Sequence, residues 1–267
     1  MQKYVHGYSE KEAKRLFDQA GTLDELIHGD SIFPEKAKVL EAGCGVGSQT
    51  KIIAPKNPTC HFTSIDISEA SLAKARQMAK TFKIGNVDFQ PGNIYALNFA
   101  EQTFDHIFVC FVLEHLANPV EALLSLKMVL KKGGGITVIE GDHGSAYFYP
   151  ESTAAQKAIN CQVELQARQG GNANIGRQIY PLLSEAGFAD CRVSPRMVYV
   201  DSSKPDLVEG FTKNTFTAMI EGVEQDALQN NLISRQQWNQ GIKDLYRTTQ
   251  QDGVFCYTFF KGTAVRY

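Results

Sequence analysis

The chain has no basic block. Its 27 Lys and Arg are scattered among 29 Asp and Glu, for a net charge of -2 over 267 residues. A protein that grips a phosphate backbone needs a concentrated positive face, and none is evident, so no nucleic-acid partner is expected. Long apolar runs are also missing. The longest, Ile107 to Leu113, is far too short to span a bilayer, and no membrane partner is expected. The opening residues Met1 to His6 are polar and lack the apolar centre of a secretory signal. Cys44, Cys60, Cys110, Cys161, Cys191 and Cys256 form no Cys-x-x-Cys pair, which argues against a zinc ribbon, and no metal is expected. Free thiols in a reducing, cytoplasmic compartment are the simplest reading. There is no internal repeat and no low-complexity stretch. What remains is a chain with 43% apolar content, enough for a full hydrophobic core in one large domain or two small ones.

Residues 9–28 read as a helix: Ala13, Leu16, Phe17, Ala20, Leu23 and Ile27 recur at helical spacing, and Ser9 with Glu12 has capping-box spacing. After Pro34 strands and helices alternate. Strands are expected at Lys38–Glu41, His61–Asp66, Asn86–Gln90, Phe104–Cys110 and Ile136–Glu140. Ser68 should cap a helix that turns Leu72, Ala75 and Ala79 inward. Asn118 and Pro119 should start another, running to Lys131 and Lys132 and stopping at Gly133. Alternation of this kind implies a parallel sheet with right-handed crossovers. Helices follow at 152–168 and Ile175–Ala186, the latter kinked or restarted at Pro181, then strands at Arg192–Val200 and Val254–Val265. The roughly fifty residues between those strands carry helical patterning, including the stripe Trp238, Ile242, Leu245 and Tyr246 behind a Ser234/Gln237 cap. An insertion this long is expected to be a helical cap, not a bare loop.

The sharpest motif is Glu41-Ala42-Gly43-Cys44-Gly45-Val46-Gly47, at the exit of the first strand. Glycines there let the backbone turn tightly and approach a ligand, at the sheet edge where open α/β folds bind ligands. The spacing is G-x-G-x-G, unlike the G-x-G-x-x-G of dinucleotide sites, and no Gly-Lys-Ser/Thr follows to make a P-loop. The second signal is Asp66 at the end of strand two, placed to accept both hydroxyls of a ribose.

With Gly92-Asn93-Ile94, Phe104-Asp105-His106-Ile107 and Leu130-Lys131-Lys132-Gly133-Gly134, these motifs resemble those of class I S-adenosylmethionine (SAM)-dependent methyltransferases, in particular the ubiquinone/menaquinone-biosynthesis-like branch (methyltransferase type 11/25-like). The resemblance covers roughly residues 35–200 and the last strand. It implies an α/β, Rossmann-like, seven-stranded, mostly parallel sheet with an antiparallel last strand. The expected organisation is one methyltransferase domain over 1–267: a helical segment at 1–33, a SAM-binding core at 34–200 and 253–267, and a cap at 201–252. It further implies that Gly43, Gly45 and Gly47 line the methionine part of SAM and that Glu41 reaches its ammonium, directly or through water. Asp66 would bind the ribose, Ile67 pack on adenine, Asn93 meet the adenine amino group and Ile94 lie beside it. Many relatives carry Asp at the Asn93 position. His115 would lie near the methyl end of the cofactor, and Tyr8, with Tyr4 beyond Gly7, in a segment that folds over it. Cys110, which ends strand four at the same edge, is expected to border the cofactor, and its thiol reads either as a nucleophile for a nucleobase carbon or as a buried structural thiol.

The strand-four exit lacks the Asn/Asp-Pro-Pro-aromatic motif of methyltransferases that act on planar nitrogens. His143, in Glu140-Gly141-Asp142-His143-Gly144, is the candidate general base, with Asp142 or Glu140 to tune it; simple packing is the bland alternative. Tyr147, Phe148 and Tyr149 could wall the acceptor pocket, Phe211, Phe216 and Met219 could roof it, and Arg177 could meet an acidic group or end in a salt bridge. The expected function is methyl transfer from SAM to a small molecule by direct in-line displacement. The rivals are a methyltransferase acting on RNA or protein, a non-enzymatic SAM-binding protein, and a nicotinamide oxidoreductase.

Overall fold

The computed structural model describes Gly21 and residues 23–267. Strands β1 (Lys38–Ala42), β2 (His61–Asp66), β3 (Val87–Pro91), β4 (Phe104–Cys110), β5 (Leu130–Tyr149), β6 (Ala189–Asp201) and β7 (Val254–Val265) form one sheet in the order β3-β2-β1-β4-β5-β7-β6. The pairs from β3 to β5 are parallel, and β7 runs antiparallel to both β5 and β6. The expected Rossmann-like sheet with its antiparallel last strand is therefore present. Strand order reverses at β1, flanked by β2 and β4, so ligands are expected beyond its carboxyl end.

Burial on both faces explains the apolar central strands. Val39, Phe62, Phe108 and Ile139 pack into one core, and Leu40, Ile65, Ile107 and Val138 into the other. The helices are α1 (Asp24–His28), α2 (Thr50–Lys56), α3 (Glu69–Thr81), α4 (Pro119–Val129), α5 (Thr153–Arg168) and α6 (Ile179–Glu185). Ser68 caps α3 by accepting from Ser71 N–H, and Ser152 caps α5 by accepting from Ala155 N–H. Pro181 lies in the first turn of α6, after a 3-10 turn at Ile175–Gln178, so the chain restarts there as the proline suggested.

Two expectations need correcting. Helix α4 ends at Val129, and Lys131 and Lys132 already belong to β5, where Lys131 pairs with Asp105 at 2.6 Å; pairing with β4 wins over a last helical turn. Strand β5 does not stop at Glu140 but continues to Tyr149 because antiparallel β7 pairs with it from Gly135 to Asp142 and again from Tyr147 to Tyr149. Of the helix expected over 9–28, Asp24–His28 is present; Ser9, Glu12, Tyr4 and Tyr8 lie outside the described residues.

The insertion between β6 and β7 is helical, as expected. It holds Pro205–Leu207, a π-helical stretch Val208–Thr217, Ala218–Glu221, Glu224–Gln229 and Arg235–Arg247, the last capped by Ser234 onto Gln237 N–H. Trp238 and Leu245 are buried, and Gly241 lets Arg235–Arg247 press against the Ala154 carbonyl of α5. The buried Lys261 ammonium of β7 donates to Asp30 Oδ1 (2.6 Å) and Ser31 Oγ (2.8 Å), which anchors the segment after α1. No described helix is long and apolar enough to cross a membrane.

Candidate functional site

The turn after β1 is held from two sides. Gly43 and Cys44 N–H both donate to the Ile65 carbonyl at 2.8 and 2.9 Å, and Gly45 N–H donates to Asp66 Oδ2 at 2.8 Å. The other Asp66 oxygen accepts Ser68 N–H at 2.8 Å, where α3 begins. One carboxylate thus couples the glycine turn to the next helix. The three glycines differ in what surrounds them. A side chain on Gly43 would strike Val112 Cγ2, 2.5 Å from its Cβ position, and one on Gly47 would strike Met78 Cε at 2.6 Å. Among the described residues, a Cβ at Gly45 would meet nothing within 4 Å. Gly43 and Gly47 allow protein to pack closely, whereas Gly45 has room above it among those residues.

Glu41 lies beneath this turn, 2% exposed, and its Oε2 accepts from Thr50 Oγ1 (2.6 Å) and Ser64 Oγ (2.5 Å). Burial raises its pKa to about 7 against the opposing pull of those hydroxyls, and the nearby Asp66 charge adds to the rise. Ile67 is 60% exposed beside Asp66. Asn93 is exposed and its Oδ1 accepts Tyr95 N–H at 3.0 Å, while Ile94 is half-buried. Cys110 is a free, buried thiol whose pKa burial pushes well up, an environment that favours the structural reading over a nucleophile. His115 is half-buried, with Nε2 3.6 Å from Glu114 Oε1.

His143 sits in a bulge. Between the pairs Asp142–Thr258 and Tyr147–Cys256, β5 places His143 to Ala146 opposite the single residue Tyr257. The imidazole is buried, with Nδ1 3.0 Å from the Ala173 carbonyl and 3.2 Å from Tyr257 Oη. If Nδ1 carries the proton it donates to Ala173; if not, it can accept from the phenol. The ring packs against Phe216 of the π-helical stretch at 6.1 Å and against Tyr257 at 5.7 Å. Rings continue from Tyr257 through Phe259 to Phe111, at the exit of β4.

The neighbours expected to tune His143 are engaged elsewhere. Asp142 is clamped by Arg177, with Nε and Nη2 each 2.6 Å from a carboxylate oxygen, so Arg177 is in an ion pair. Glu140 Oε1 accepts the Val112 and Leu113 N–H groups. Tyr147 does not join this region. It is 56% exposed and its hydroxyl lies 3.4 Å from Met197 Sδ. Strand alternation sends Phe148 instead to the cap side, where it stacks on Phe255. Phe211 and Phe216 are buried against Tyr257, and Met219 is half-buried at the edge of the same core. Tyr257, Thr50, Ser64 and Val112 were not singled out from sequence. The alternation Phe255-Tyr257-Phe259 marks a buried face for Tyr257, but the bulge that brings it to His143 leaves no local signature.

The methyltransferase-domain family matches residues 34–187, which contain β1 to β5 and the whole glycine turn. The chain belongs to this family of SAM-dependent methyltransferases. It is 33% identical over 148 residues to an uncharacterized methyltransferase of Schizosaccharomyces pombe, covering 53% of each chain. It is 30% identical over 103 residues to the demethylmenaquinone methyltransferase of Listeria welshimeri, covering 38% of this chain and 44% of that one. The chain spans about half the length of these curated relatives. Among solved structures, phosphoethanolamine N-methyltransferase 2 of Haemonchus contortus in complex with SAM superposes with a TM-score of 0.56 at 16% identity, over 93% of this chain and 52% of that one, a likeness of fold.

Proposed function

We propose that the chain transfers a methyl group from SAM to a small-molecule acceptor. The observation that carries this is the open space over Gly45, bounded by a turn that Asp66 clamps and flanked by the exposed Ile67. Room at this one glycine of an otherwise close-packed turn suits SAM, whose sulfonium is best met by carboxylate and carbonyl groups. Gly43, Gly45 and Gly47 would line its methionine part, with Glu41 beneath. Asp66 keeps lone pairs for ribose hydroxyls, and Ile67, Asn93 and Ile94 would flank the adenine. Cys110 and His115 would border the methyl end, and Tyr8 would close over it.

When bound, SAM supplies an already activated methyl group, so the protein's work is alignment and exclusion of water. β1, β4 and β5 are parallel, so the exit carrying His143 lies at the same sheet edge as the glycine turn. His143 would take the acceptor's proton where one must leave, and Tyr257 would orient the imidazole through Nδ1. The helical insertion packs Phe216 over His143. A roof of this kind favours a small acceptor over a duplex or a folded protein.

The test is calorimetric titration with SAM followed by a screen of small molecules with methyl-labelled SAM. His143→Ala should lower turnover about a hundredfold while SAM affinity stays within about threefold, and the loss should shrink for an acceptor that is already ionised. Labelling of RNA or protein alone would defeat the small-molecule reading, and equal turnover by His143→Ala would defeat the base.

A further inference from the structure

The segment that leaves β4 is held in an unusual shape. Phe111 has a φ of +58°, in the left-handed region that a bulky side chain disfavours. The next strand holds it there. Phe111 N–H donates to the Ile139 carbonyl at 2.9 Å, and Glu140 Oε1 receives Val112 N–H at 3.0 Å and Leu113 N–H at 2.8 Å. Glu140 is fully buried, and among the described residues its Oε2 has no hydrogen-bond partner. Burial, and then the Glu114 charge, push its pKa well above the carboxylate range, while the backbone N–H groups pull the other way. A buried carboxyl group is costly unless hydrogen bonds compensate it, and here those bonds come from the backbone of the turn after β4. What they hold is Val112, whose Cγ2 and Cγ1 lie 2.5 and 3.0 Å from the position a Cβ would take on Gly43.

We propose that Glu140 is a positioning residue for the methyl-transfer site: it fixes the turn after β4 so that Val112 sets the clearance at Gly43, the first glycine of the cofactor turn. This rests on the reading that the Gly43–Gly47 turn holds SAM. Glu140 touches neither cofactor nor acceptor in this role. It acts through two backbone N–H groups and one valine, which links β5, where its pairing with β4 stops, to the end of β1.

The acceptor oxygen is what matters, so an amide should replace the acid. Glu140→Gln keeps a carbonyl for both N–H groups and should bind SAM within about threefold of the parent. Glu140→Ala leaves both N–H groups unpaired and should weaken SAM by about tenfold or more. Val112→Ala should weaken SAM in the same direction without touching Glu140. The double variant Glu140→Ala/Val112→Ala should bind SAM no worse than Glu140→Ala, because both changes break one linkage. Each is read by calorimetry with SAM on protein whose melting curve shows it folded. Unchanged SAM affinity in Val112→Ala overturns the proposal, even if Glu140→Ala does not fold, and so does Glu140→Gln binding as weakly as Glu140→Ala. The cofactor-site reading is separated by Asp66→Ala. If that variant also binds SAM normally, the reading of the glycine turn falls and this proposal with it. If it alone is weakened, only the Glu140 proposal falls.

Discussion

Asp66 Oδ2 accepts the Gly45 N–H at 2.8 Å, so the carboxylate at the end of β2 sets the conformation of the turn at the end of β1. A residue assigned to a ligand on sequence grounds therefore also has a structural duty. Asp66→Ala should lose on both counts. Removing the acceptor for Gly45 and Ser68 N–H should cost about 1–3 kcal/mol of stability. SAM affinity should fall by roughly 10- to 100-fold. A melting curve and a SAM titration separate the two effects, and a loss of stability with full SAM affinity would leave Asp66 as a purely structural residue.

The glycines predict opposite phenotypes. Gly45→Ala places a methyl group in open space, so its cost to the fold is the strain of a φ of +52°, about 1 kcal/mol. SAM binding should suffer far more than stability. Gly47→Ala drives a methyl group toward Met78 and Ala75 of α3, and its melting temperature should drop further than that of Gly45→Ala. Equal stability in both variants, with equal SAM affinity, would contradict the division of roles.

Buried histidines and buried carboxyls should pull the pH dependence of stability in opposite directions. His28 has its pKa lowered to about 4 and His106 to about 3, both chiefly by burial, from an ordinary 6.5. Below pH 6.5 the unfolded chain protonates both while the folded chain keeps them neutral, so their contribution, complete above that pH, is lost as pH falls. Glu41 opposes this. Its pKa of about 7, against an ordinary 4.5, means that the folded form holds an extra proton between those values and gains stability as pH falls. From pH 6 to pH 5 the unfolded state binds about two protons more at the histidines and one fewer at each of Glu41 and Glu140, whose folded pKa also lies well above 4.5. The two effects nearly cancel, so stability should change little between these pH values. His106→Gln removes one of the histidine protons, so the variant's stability should rise by roughly 1.4 kcal/mol per unit as pH falls. Urea denaturation at the two pH values decides it, and an unaltered slope in the variant would refute the assignment.

Much of this was legible in the chain itself. Apolar runs at β1, β2 and β4, Ser68 and Ser234 as helix caps, and the G-x-G-x-G turn are local patterns governed by backbone sterics and hydrogen-bond satisfaction, and they need no knowledge of distant residues. The cofactor class follows from them because the turn and Asp66 stand at adjacent strand ends in any sheet of this order. The length of β5 did not follow, because it depends on what pairs with it; β4 draws Leu130 into the strand, and β7, more than a hundred residues later, carries it past Glu140 to Tyr149.

The particular contacts were decided only by tertiary structure. Tyr257 meets His143 because a bulge of four residues faces one, a mismatch between two strands that neither strand shows alone. Arg177 is committed to Asp142, and Tyr147 turns outward while Phe148 turns toward the cap, as the register dictates. Residue types and spacing determine which chemistry the chain can offer at each strand end. Register and long-range packing determine which of those groups meet, because a shift of one residue along a strand exchanges its buried face for its exposed one.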